Sequence, residues 1–195
     1  MNFLAHVQLS HGIDQVITGN LVADGYKGKK YQVLPMGIQH GIILHRRIDE
    51  LTDTFEPVRA MKRKLVPYFG RYAGVALDVY FDHILSLNWE KFYELDLETT
   101  VENSHQALRA NFEHVSPESR LFLDRLIAYK WLISYRQKND LEKIFHQMSH
   151  RFGLNQLKNS MLPLEKHFQE LNETFIVLYP LLVSQSKDYI RTVGL

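Results

Sequence analysis

The 195-residue chain has no cysteine. That excludes disulfides, thiolate metal sites and a cysteine nucleophile. Six prolines and ten glycines are too few for a fold of short strands joined by turns. Net charge is nearly absent: 23 Lys and Arg face 22 Asp and Glu, a formal +1. A strongly basic nucleic-acid binder is not expected from that balance. No apolar run reaches the roughly 18–20 residues that span a bilayer. The opening from Met1 to Leu9 has no basic n-region and carries His6, so it does not read as a signal peptide. The expectation is a cytoplasmic protein that makes no use of a membrane. Neither a G-x-S-x-G elbow nor a Walker A loop is present, which leaves serine-hydrolase and P-loop chemistry without support. What the chain does have is 45% apolar residues, enough for a sizeable core, and ten histidines.

The longer apolar patterns have helical spacing. Ile38, Ile42 and Ile48 recur through Leu34 to Leu51, and a stripe runs from Leu121 to Tyr135. Ser116-Pro117-Glu118 is a helix start, with Ser as cap and Pro in the first turn. Pro57 and Pro163 suit the same role, and Asn139-Asp140 reads as a junction between helices. No repeat or Gly/Ser linker divides the chain. The fold expected is all-α, a single helical bundle domain over residues 1–195 of about eight to ten helices, with a short strand near Tyr31 to Val33 left open.

Charge is uneven along the chain. Residues 27–71 hold ten basic side chains and four acids, a net +6. Lys27, Lys29, Lys30, Arg59, Lys62 and Arg63 are its candidate partner-binding members. The segment is either a solvated helical face or a docking surface for an acidic partner or a phosphate.

The chemistry-bearing residues lie in the first ninety positions. His45 and Asp49 are four apart, about 40° round a helical wheel, and share a face with Ile38, Gly41 and Ile42. Arg46, Arg47 and Glu50 point elsewhere. Asp78 and Asp82 repeat the four-residue spacing on an apolar face, with His83 about 100° away. Two carboxylates are costly to bury together, so that face either meets water or is compensated by a cation. Asn20 and Asp24 are also four apart, and His6 sits in the apolar opening. Each of these has a plain alternative: a hydrogen-bonded core histidine, a surface acid, an acid paired to arginine. His105, His114, His146, His150 and His167 lack partnered spacing and read as surface residues. A site built from carboxylates and imidazoles without sulfur favours Mn²⁺, Mg²⁺ or Fe²⁺, and hydrolysis of a phosphoester is the natural reaction. A di-iron bundle needs two Glu-x-x-His motifs; only Glu102-Asn103-Ser104-His105 is found.

Met1-Asn2-Phe3-Leu4-Ala5-His6, Gly19-Asn20 with Ala23-Asp24, His45-Arg46-Arg47-Ile48-Asp49 with Thr52-Asp53, and Asp78 with Asp82-His83-Ile84-Leu85 and Trp89 together resemble the bacterial acyl carrier protein phosphodiesterases. The resemblance implies a helical relative of the HD-domain phosphohydrolases. It implies hydrolysis of the link between 4′-phosphopantetheine and a serine of acyl carrier protein, with a divalent cation, Mn²⁺ foremost. Carried over by position, the metal candidates are His6, His45, Asp49, Asp78, Asp82 and His83. Asp24 is the candidate to orient or deprotonate water, and Arg46 or Arg47 to offer charge to the phosphate. The adjacent pair here is Asp82 then His83, the reverse of the ordinary HD order. Two other functions stay open: a phosphohydrolase acting on a nucleotide or small phosphoester, and a non-catalytic helical protein that binds an acidic partner.

Overall fold

A computed structural model describes residues 1–153, 157 and 160–195. Among these the chain is helical throughout, with no strand. The elements are α1 (Phe3–Gln8), α2 (Asp14–Val22), α3 (Met36–Thr54), α4 (Glu56–Phe69), α5 (Ala73–Leu87), α6 (Trp89–Phe92), α7 (Leu97–Ala110), α8 (Pro117–Ala128), α9 (Trp131–Ser134), α10 (Lys138–Phe152) and α11 (Met161–Thr192). Short 3₁₀ turns cover Ala23–Gly25, Lys30–Val33, Gly70–Tyr72 and Phe112–His114. No helix among the described residues is long and apolar enough to cross a membrane.

Local chemistry sets several boundaries. Ser116 caps α8 by accepting the Ser119 amide at 3.2 Å, with Pro117 in the first turn, where its missing N–H costs nothing. Asp96 caps α7 through the Thr99 amide at 2.8 Å. Three expectations are corrected. The segment at Tyr31 to Val33 is a 3₁₀ turn, not a strand. The Leu121 to Tyr135 stripe is two helices, because Lys130 takes a left-handed conformation (φ 51°) between α8 and α9. Asn139 and Asp140 lie in the first turn of α10 rather than at a junction.

The long α11 packs along α3, α4 and α5. The core is rich in aromatic pairs, such as Phe81 of α5 with Phe175 of α11 at 5.6 Å and Tyr80 of α5 with Phe145 of α10 at 5.4 Å. These are ordinary centroid spacings for packed rings. Phe145 and Phe175 of the C-terminal half are fully buried, whereas Phe168 is partly exposed.

The tightest approach is that of α2 to α3. A Cβ on Gly19 would stand 2.0 Å from the Ile38 carbonyl oxygen, and one on Gly41 would stand 2.4 Å from that of Val16. Only glycine permits that separation. The contact brings Asn20, next to Gly19, against α1. It also sets His45, one turn beyond Gly41, beside the end of α2.

Candidate metal centre

Four segments converge where α1, α2, α3 and α5 meet. His6 of α1 and His45 of α3 stack with ring centroids 4.1 Å apart and planes 18° from parallel. Asp49 bridges their outer edges. Its Oδ1 is 3.2 Å from His6 Nε2 and its Oδ2 is 3.0 Å from His45 Nε2. One ligand atom from each of the three lies within 4.8 Å of the others. Two bonds of about 2.1 Å meeting at one ion place their ligand atoms roughly 3 Å apart, so this spacing suits a single small cation.

The state of His6 follows from its neighbours. Its Nδ1 lies 2.7 Å from Asn20 Oδ1. The Asn20 amide is oriented by its other end, where Nδ2 donates to the His6 carbonyl at 2.9 Å and to Ser10 Oγ at 3.0 Å. The oxygen must therefore face the ring, and Nδ1 must carry the proton. That leaves the Nε2 lone pair buried, without a hydrogen-bond partner and facing a carboxylate. Burial foremost, and then the neighbouring His45, lower the His6 pKa to about 4, so the ring is neutral at pH 7. A lone pair aimed at a carboxylate oxygen is repulsive unless a cation lies between them. An imidazole held through its far nitrogen by an amide oxygen is also the usual support of a metal-bound histidine.

His45 fits the same role with less support, since its Nδ1 is buried and unpartnered. Burial lowers its pKa, but the neighbouring Asp24 and Asp49 carboxylates outweigh that and raise it to about 9. In Asp49, burial pushes the carboxyl upward, while the His45 imidazole and the nearby Met1 ammonium prevail and hold it well below the usual range. Asp24 Oδ1 stands 3.7 Å from His45 Nε2 on a side chain 92% exposed. It faces water at the open edge, its pKa lowered chiefly by the nearby His45 imidazole.

The other expected residues lie elsewhere. Asp82 is fully buried, and its two oxygens accept the backbone amides of Leu4 at 2.7 Å and Ala5 at 3.1 Å. It satisfies two of the free N–H groups at the start of α1 and sits in the favourable end of that helix dipole. Burial pushes its pKa up to about 7 against the pull of those amides. Asp78 Oδ1 accepts from the Met1 α-ammonium at 3.0 Å, and that ammonium is also 3.7 Å from Asp49 Oδ1. The compensation expected for the Asp78–Asp82 face thus comes from an ammonium group and a helix start. His83 points away, its Nδ1 2.6 Å from the Tyr135 carbonyl, as its offset round α5 dictates. Asp82 and His83 thus make their hydrogen bonds outside the His6–His45–Asp49 cluster.

Both arginines also turn away. Arg46 donates to the Tyr26 carbonyl at 2.7 Å and the Gly28 carbonyl at 3.0 Å. Arg47 lies over the Tyr189 ring at 4.7 Å, on the α11 side of α3. Both guanidinium groups are thus engaged away from the His6–His45–Asp49 cluster. Arg59 and Arg63 share Glu56 at 3.4 and 2.7 Å, and Lys62 lies 3.8 Å from Asp53. Lys27, Lys29 and Lys30 are exposed and take part in no ion pair among the described residues. His105, expected at the surface, is 5% exposed against α7's own Glu102. The role of Asn20 was hinted at only by a polar amide within an apolar stretch, and that of Met1 by nothing in the pattern.

The cluster defines a helical protein with a two-histidine, one-carboxylate centre able to hold one divalent cation. Comparison with known sequences places the chain in a family. A family profile described as "Acyl carrier protein phosphodiesterase" matches residues 1–182. An acyl carrier protein phosphodiesterase of Enterobacter sp. (strain 638) is 34% identical over 190 residues, covering 96% of this chain and 98% of its own. One from Salmonella agona (strain SL483) is 32% identical over 188 residues, covering 95% and 97%. No solved structure matches. The chain belongs to the acyl carrier protein phosphodiesterase family.

Proposed function

We propose that this chain is a divalent-cation-dependent phosphodiesterase that hydrolyses the link between 4′-phosphopantetheine and serine in holo-acyl carrier protein. Water adds at phosphorus, the bond from phosphorus to the serine oxygen breaks, and the serine oxygen takes up a proton. The products are apo-carrier and 4′-phosphopantetheine. In this reading residues 1–195 form one domain related to the HD-domain phosphohydrolases and serve cytoplasmic fatty-acid metabolism.

The observation that carries the reading is the His6 lone pair, fixed by Asn20 and left facing Asp49. His6, His45 and Asp49 would hold the cation, Mn²⁺ in the first instance. Bound there, it supplies charge to a non-bridging phosphate oxygen and acidity to a water molecule. Asn20 keeps the His6 proton on Nδ1 and so keeps Nε2 free to ligate. Asp49 draws both imidazoles to one point. Asp24, ionised and open to solvent beside His45, orients the attacking water and accepts its proton. Asp78 and Asp82 fix the start of α1 and thereby the position of His6.

The test is incubation of holo-carrier protein with the enzyme and Mn²⁺, read by intact mass. Loss of the phosphopantetheine mass is the expected result. An unchanged carrier alongside turnover of nucleotides would assign the site to another phosphoester.

A further inference from the structure

The basic run divides in three dimensions. Its α4 members are already engaged: Arg59 and Arg63 hold Glu56, and Lys62 is near Asp53. Lys27, Lys29 and Lys30, within four residues of one another, are exposed and form no ion pair with another described residue. Beside them stand Val33 and Met36, 88% and 66% exposed, the two most exposed large apolar side chains among the described residues. Three solvated cations next to two exposed apolar side chains make a surface that an acidic, partly apolar partner complements.

The segment is also held in one shape. The Tyr26 ring is buried and its hydroxyl accepts the Ser116 amide at 2.8 Å. Arg46 gathers the Tyr26 and Gly28 carbonyls and places its guanidinium 5.0 Å from the Tyr31 ring centre. Gln39 Nε2 donates to the Leu34 carbonyl at 2.8 Å and the Gln32 carbonyl at 3.2 Å. A surface fixed in advance loses little freedom when a partner arrives. It lies at the edge of the metal centre, because Asp24 is two residues before Tyr26 and His45 directly precedes Arg46.

We propose that the Tyr26–Met36 segment is the docking platform for the carrier protein. It receives an acidic helix whose carboxylates meet Lys27, Lys29 and Lys30 and whose apolar residue packs on Val33 and Met36. The inference rests on the carrier-protein reading above and adds where the partner sits. Arg46 is then the strut that carries the platform, which accounts for its turning away from the site.

Steady-state hydrolysis of holo-carrier with Mn²⁺ tests it. Replacing Lys27, Lys29 and Lys30 together by alanine should raise KM about tenfold or more with kcat within about twofold, and should flatten the fall of kcat/KM with ionic strength. The Arg59→Ala/Arg63→Ala double variant should leave KM within about twofold. Val33→Ser with Met36→Ser should raise KM severalfold. An unchanged KM in the lysine variant, or an equal effect in the α4 variant, would overturn the platform while leaving the activity in place. Wild-type protein that binds Mn²⁺ yet removes no phosphopantetheine would overturn the activity and the platform together. Binding to anionic vesicles, lost with the three lysines while turnover of the carrier stays unchanged, would assign the patch to lipid and also overturn it.

Discussion

The two ends of the chain bury polar groups in different ways. In the C-terminal half several of them are satisfied within their own helix. Ser104 donates to the Thr100 carbonyl, Asn111 to that of Ala107, and Ser149 to that of His146. Around the candidate metal centre they reach across the fold: Asp82 to the amides of Leu4 and Ala5, and His6 to Asn20. A local bond survives small shifts of its helix and adds little specificity. A bond between distant segments fixes their relative position and costs more to break, because the partner left behind is buried. The N-terminal region concentrates such bonds at one point, and that point is where three ligand atoms converge.

The sharpest test of the contrast is Asp82→Ala, which strands two buried amides at the start of α1. Destabilisation by about 3 kcal/mol is expected, read by urea unfolding. A loss under about 1 kcal/mol would show that the long-range bonds are no stronger than the local ones.

Next is the pH response of the metal-free protein. The folded-state pKa of His45 is about 9, above its unfolded value near 6.5. The folded state therefore holds the extra proton, and the stability it brings is lost as pH rises from about 6.5 through 9. The slope is at most about 1.4 kcal/mol per pH unit. His45→Gln should flatten it, and a slope that persists in the variant would place the titrating group elsewhere.

Asn20→Leu should weaken Mn²⁺ binding by roughly 10- to 100-fold, since nothing then holds the His6 proton on Nδ1. Calorimetric titration reads it, and unchanged affinity would remove Asn20 from the account. The smallest effect is expected of Ser104→Ala, at or under about 1 kcal/mol. A larger loss would erase the distinction between the two regions.

The helical class was legible because apolar spacing and capping residues act over a few neighbours. The His45–Asp49 pair was legible for the same reason, being one turn of one helix. Asp24 and His6 could be marked as out of place, but not positioned. What periodicity cannot convey is which face meets which. Asp82 looked like a ligand because its compensation, the start of α1, lies 78 residues away in the chain. Arg46 looked catalytic because it adjoins His45, yet helical geometry turns it toward the Tyr26 and Gly28 carbonyls. The glycines at 19 and 41, which bring α2 and α3 together, give no signal of their partner until both are seen.

The central claim is that His6, His45 and Asp49 form one cation site. Titration of metal-free protein with Mn²⁺, followed by the loss of the free-ion electron paramagnetic resonance signal, tests it directly. The account predicts saturable binding of one ion by the wild type and its loss in a folded Asp49→Ala variant. Equal binding by the two proteins would contradict it.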